Sequence, residues 1–219
     1  MFSAWQRFNF ECSIDSSYHN DKSIMNYVTL WLTAYINPIR FVDELRTKPA
    51  PQWGFFAALQ RGLMDSLLTY LPVYLLGRTP PTPSNLSFIP TENYYGALIF
   101  LAPIVLVAIW LISSALTHLI LKLSYKRSDF DLILNISGFT ALVVGSIIIL
   151  WDGLWLMIGG MNQYTLGISH LVIDIWAIAI TTIALKRILS VPVWFGIILS
   201  IIGIAVSIPF AIMFMRSPI

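Results

Sequence analysis

Four stretches of the chain stay apolar for the ~20 residues a helix needs to cross the hydrocarbon core of a bilayer. They cover about 96–123, 132–158, 166–185 and 193–215. A fifth candidate, 54–76, is interrupted by Arg61 and Asp65. On a helix Arg61, Asp65 and Thr69 stand four apart and share a face with Gly62 and Ser66, while Phe56, Leu63 and Leu67 line the other side. Such a helix hides its polar stripe in a bundle and turns its apolar side to lipid. Counting it as a span predicts an all-α polytopic membrane protein, a bundle of five transmembrane helices over residues 54–215. The alternative for 54–76 is an interfacial or re-entrant helix, which leaves four spans.

Residues 1–53 form the largest non-spanning piece. Asn37-Pro38 reads as a helix start, with Asn as the cap and Pro at the first helical position. The helix Pro38–Thr47 puts Ile39, Val42 and Leu45 near one side and Arg40, Asp43 and Glu44 near the other, an amphipathic element for the headgroup region. Residues 24–36 are apolar enough to lie at the interface and too few to span. The start of the chain lacks the apolar core of a signal peptide, so the first span is expected to act as an uncleaved insertion signal. Between the first two spans, Pro80, Pro81, Pro83 and Pro90 predict a stiff, extended strap. Asn85-Leu86-Ser87 within it fits a glycosylation triplet.

The distribution of charge gives an orientation. Short inner loops accumulate Lys and Arg. With five spans and the N-terminus inside, Arg7, Lys22, Arg40, Arg46, Lys48, Lys122, Lys126, Arg127, Lys186 and Arg187 all fall on the inner side, against Arg78 and Arg216 outside. The C-terminus is then outside. Tyr94, Tyr95, Trp151, Trp155 and Tyr164 fall at outer interfaces, and Trp53, Tyr125 and Trp194 at inner ones. Composition agrees: 57% of the 219 residues are hydrophobic and 11% charged, where a soluble domain carries about 25% charged residues. That excludes an ordinary soluble globule and a disordered chain, and a net charge of +2 excludes a nucleic-acid-binding module. The lone Cys12 excludes a disulfide framework and a cysteine zinc site. No cofactor is expected.

Candidate chemistry reduces to the ionisable residues inside spans, where burial costs at least ~2.5 kcal/mol each. Arg61 and Asp65, four apart, read as a structural ion pair. His170 and Asp174 are also four apart, and Asp152 lies near the outer end of the preceding antiparallel span. The three fall at similar depth, so they could converge to hold a divalent metal, pass a proton or bind a cation. The duller alternative is Asp174 fixing the His170 tautomer while tying two helices together. His118, beside Ser114 and Thr117, reads as an interhelical hydrogen-bonding residue. No nucleophile motif, phosphate-binding glycine loop or dinucleotide fingerprint is present, so no catalytic residue is assigned.

Gly196, Ser200, Gly203 and Ser207 line one face of the last span, and Gly138, Ala141 and Gly145 make a shorter row on the third. Small residues let a second backbone approach closely in lipid, which suits internal helix packing or a homo-oligomer seam.

The layout resembles the Yip-domain family of Ypt/Rab-interacting membrane proteins. The residues that carry the resemblance are Asn37-Pro38 followed by Phe41, Leu45 and Pro49 before the first span. A His-containing second-span end (THLILKL) then runs through a short basic loop (SYKRSDFD) into a glycine-containing third span. The resemblance covers roughly residues 30–215 and is to the short prokaryotic members, without the longer polar N-terminal region of eukaryotic ones. It implies a multi-pass protein of the prokaryotic inner membrane, accessory to a transport or envelope complex, and supplies no catalytic residues. The expected function is therefore a non-enzymatic membrane scaffold or accessory subunit with lipid and protein partners. The alternative is a small cation- or proton-coupled transporter using Asp152, His170 and Asp174.

Overall fold

The computed structural model describes residues 16–47, 52–80, 88–125, 128–158 and 163–214, and among these the regular structure is helical throughout. In chain order the elements are α1 (Ser16–Ile36), α2 (Pro38–Thr47), α3 (Trp53–Asp65), a π-helical turn Ser66–Tyr70, α4 (Leu71–Leu75), α5 (Tyr94–Tyr125), α6 (Phe130–Ile158), α7 (Gln163–Leu189) and α8 (Val193–Phe214). Four helices of the described residues are long and apolar enough to cross a membrane: Thr91–Ser124, Phe130–Ile158, Leu166–Leu189 and Val193–Phe214. The chain is thus a helical membrane bundle. Of the earlier expectations, the start of the chain, most of the proline-rich strap with its Asn85–Ser87 triplet, and Lys126, Arg127 and Arg216 lie outside the described residues.

Helices α5, α6, α7 and α8 form a ring. Each packs on its two neighbours, whereas the diagonal pairs α5/α7 and α6/α8 hardly touch. The run from α3 through α4 lies in the groove between α5 and α6. It is continuously helical from Trp53 to Leu75, about 33 Å long. The π turn interrupts its hydrogen-bond register directly after Asp65. At the far end Gly77, with φ of 65°, takes the left-handed conformation that closes a helix, and Arg78 N–H reaches back to the Val73 carbonyl at 3.2 Å.

Two glycines set how closely α3 approaches α6. A Cβ on Gly54 would strike the Leu134 carbonyl, and one on Gly138 would strike the backbone of Gly54. The backbones therefore cross in contact, and the gain is dispersion and shape fit rather than water release. The N–H of Gly54 belongs to the first turn of α3, where no intrahelical acceptor exists. Buried Asn135 supplies one, accepting that N–H at 2.6 Å.

The α1–α2 hairpin packs on α6 and, mainly through α2, on α7. Asn37 caps α2 as expected, its Oδ1 accepting the Arg40 N–H at 3.0 Å. The apolar side of α2 differs from the expectation. Phe41, Val42 and Leu45 are buried, while Ile39 is 49% exposed. Positions 38, 41, 42 and 45 make the i, i+3, i+4, i+7 stripe, and Ile39 falls off it. That stripe is covered by protein. Phe41, Trp53 and Tyr27 surround Phe139 of α6, with ring centroids 5.7, 6.4 and 5.2 Å away. Tyr27 donates to Gln60 Oε1 at 2.9 Å, and burial raises its phenol above the ordinary value, so it stays a donor. Outside, Arg187 of α7 makes a bidentate pair with Asp43 at 3.0 and 2.8 Å. Helix α1 runs from Ser16 rather than from residue 24.

Candidate functional site: a half-open cavity between the ring helices

Between the ring helices, where the diagonals fail to meet, lies a half-open cavity of about 250 Å³. It runs from Thr117 and Ser137 to Ile148 and Ser207, a rise of about 16 Å along α6. Leucine and isoleucine form much of its wall, interrupted by hydroxyls from all four ring helices: Ser113, Ser137, Thr140, Thr181 and Ser200 among them. Ser137, Ser200 and Ser207 spend their proton within their own helix. Ser200 donates to the Gly196 carbonyl at 2.8 Å, the usual way a helix hides a hydroxyl. Ser137 is 2.5 Å from Ser114, itself bonded to the Trp110 carbonyl at 2.7 Å. The Thr140 hydroxyl is different: it is buried and has no hydrogen-bond partner among the described residues.

Two charged groups reach this cavity. Arg61 arrives from α3, outside the ring, and does so because position 145 is glycine. A Cβ there would occupy the space of the Arg61 Nε and Cδ. The guanidinium thus passes through a port in α6. It pairs with Asp65 one turn on, both side chains being at least nine-tenths buried. The second group is Asp174 of α7, which lines the cavity and receives no hydrogen bond or ion pair among the described residues.

One turn from Asp174, His170 Nε2 lies 2.7 Å from Asp152 Oδ1, joining α7 to α6. Their side chains are 27% and 13% exposed. Asp65 lies within electrostatic range of both, and Asp174 within range of His170. The structure therefore places the three candidates in sequence rather than around one point. His170 is bonded to Asp152 across the helix interface, and Asp174 faces the axis. Among the described residues no three His, Cys, Asp or Glu side chains stand close enough to hold a metal ion. A hydrogen-bonded imidazole between carboxylates can accept, hold and release a proton. His118 shares a hydrogen bond with Ser128 at 2.8 Å, where the chain turns from α5 into α6.

The small-residue face of α8 turns inward. A Cβ on Gly196 would lie 3.2 Å from Thr182 Cγ2 of α7, Ser200 stands 3.4 Å from the Thr182 hydroxyl, and Ser113 of α5 donates to the Gly203 carbonyl at 3.3 Å. Ser200, Gly203 and Ser207 are cavity wall. Thr140, Ser113 and Trp110 were absent from the sequence-based candidates. A lone hydroxyl or indole in an apolar span carries no signal until its neighbours are known. No protein-family model, curated protein or solved structure matches the chain.

Proposed function

We propose that the protein is a five-span, non-enzymatic carrier that passes protons or a small cation along the axis of its helical ring. The observation that carries this reading is Asp174. It is a carboxylate without a bonded partner among the described residues, on the wall of a cavity between apolar spans, one turn from an imidazole already bonded to a second carboxylate. Holding a charge at such depth costs a few kcal/mol, and neither core packing nor helix association needs it. Counting Trp53–Leu75 as the fifth span puts α1, α2 and the basic residues Arg40, Arg46, Lys122, Lys186 and Arg187 on one side of the bilayer, which supports an inner N-terminus. The Asp152–His170 pair then stands toward the outer face and the hydroxyl-lined shaft leads inward from it. A prokaryotic inner membrane and an outer C-terminus complete the arrangement.

The test is flux. Purified protein in liposomes with an entrapped pH-sensitive dye should acidify or alkalinise the lumen under an imposed ion gradient. Asp174→Asn and Asp152→Asn should each abolish the response. No response from the unaltered protein, or an unchanged one from both variants, defeats the reading.

A second reading keeps the protein as a scaffold or accessory subunit of a transport, envelope or trafficking complex, in keeping with the Yip-like layout. Leu32, Ile36 and Ile39 are exposed where α1 meets α2, an apolar corner suited to a protein partner or to lipid. A partner that co-purifies in mild detergent and is lost on Ile36→Glu would favour it.

A further inference from the structure

We propose that the axial cavity is a binding site for a small organic cation, an amine with an apolar body, whose ammonium group pairs with Asp174. The inference rests on reading the bundle axis as a cation path and names the class of solute that occupies it. Charge decides the sign of the ligand. The polar cluster between α3, α6 and α7 holds three carboxylates, buried Asp65 and partly exposed Asp152 and Asp174, against one buried guanidinium, Arg61, and one partly exposed imidazole, His170. Even with the imidazole protonated, one negative charge is left over. Arg61 is taken by Asp65 and His170 by Asp152, so the surplus falls on Asp174. A charge within a membrane-spanning helix is costly without a counter-charge, and an incoming ammonium lowers that cost.

The wall decides the rest. A divalent metal site is built from several carboxylate or imidazole ligands, and among the described residues no three His, Cys, Asp or Glu side chains could hold one. Leu106, Ile109, Val144 and Leu199 instead offer an apolar surface, with Trp110 the one aromatic residue of the wall. An indole favours a cation over its neutral isostere. The Thr140 hydroxyl, more than nine-tenths buried and without a partner among the described residues, supplies an unused hydrogen bond within the same wall. Size fits too. An engineered cavity of about 150 Å³ accepts benzene, so about 250 Å³ admits a ring with a short ammonium arm.

The experiment is equilibrium dialysis of the full chain in lipid nanodiscs, with empty nanodiscs as blank, using phenethylamine, phenethyl alcohol and phenylalanine as probes. The amine is expected to bind saturably, the neutral alcohol and the zwitterion far more weakly. Asp174→Asn should weaken the amine roughly ten- to hundredfold, as expected for a charge-assisted hydrogen bond, and leave the alcohol unchanged. If the alcohol binds as tightly as the amine, the cavity is merely apolar and the inference falls. Tighter binding of phenylalanine than of the amine would assign recognition to Arg61 instead, and no saturable binding of any probe overturns the site. The amine-versus-alcohol comparison needs only the unaltered protein, so misfolding of the variant leaves the test intact. Amine binding without flux would remove the carrier and keep the site. Proton flux without amine binding would do the reverse.

Discussion

Gly145→Ala tests the port through which Arg61 reaches the axis. The added methyl would coincide with the Arg61 Nε and Cδ, so either the side chain withdraws or α3 moves away from α6. Neither is cheap. Arg61 is 6% exposed, and α3 is held by the Gly54–Gly138 crossing and by the Asn135 cap. Overpacking of a filled interior costs about 1–3 kcal/mol. Losing the Asp65 pair, which strands a buried carboxylate, raises the figure to about 3–5 kcal/mol. At about 2–4 °C per kcal/mol for a chain of this size, the melting temperature should fall by roughly 2–12 °C if the pair adjusts, and further if it breaks. The assay is thermal unfolding in detergent followed by size-exclusion chromatography, run as a double-mutant cycle with Arg61→Ala. In the Arg61→Ala background the port is vacant and Gly145→Ala should cost almost nothing. An equal loss in both backgrounds would refute the argument, since position 145 would then be intolerant for reasons unrelated to Arg61.

Other outcomes follow from the same geometry. Asn135→Ala leaves the first-turn N–H of Gly54 buried and unbonded, so it should destabilise by about 1–3 kcal/mol in the same melting assay. Arg187→Ala removes an exposed bidentate pair with Asp43 and should cost about 0.2–1 kcal/mol at most, an effect that fades further in high salt. Phe139→Ala empties the point where three aromatic rings meet and should cost about 3–5 kcal/mol, read as loss of the folded peak on heating. Thr140→Val replaces an unpartnered hydroxyl with a methyl and should leave stability unchanged or slightly raised, while weakening amine binding only if the hydroxyl contacts the ligand.

The long helices were legible because length and apolarity suffice to place them. The expected 96–123, 132–158, 166–185 and 193–215 are matched by α5 through α8, with ends differing by a few residues. Residues 54–76 were legible as a helix, and their polar stripe as a face turned into the bundle. What the pattern could not carry was the relation between helices. Three spans are apolar nearly all round, so periodicity does not say which side meets which neighbour. Hence the small residues of α8 suggested close packing, and Gly145 belonged to a short packing row. That one row borders a cavity and the other gives passage to an arginine depends on the ring. Likewise the spacing of His170 and Asp174 suggested a pair along one helix, whereas the 2.7 Å bond goes across to Asp152. On α2 Phe41 rather than Ile39 is buried beside Val42 and Leu45, because the covering surface is protein.

The cap on α3 also bears on how the chain is made. Gly54 and Asn135 are separated by 81 positions. At a synthesis rate of ~5–20 residues per second, the acceptor for the Gly54 N–H emerges roughly 4–16 s after the helix it completes. During that interval α3 carries Arg61 and Asp65 with an open first turn and neither of its glycine contacts on α6. The nascent helix therefore lacks its cap and its glycine contacts until α6 has been made, and in that interval Arg61 and Asp65 have each other as charge partners.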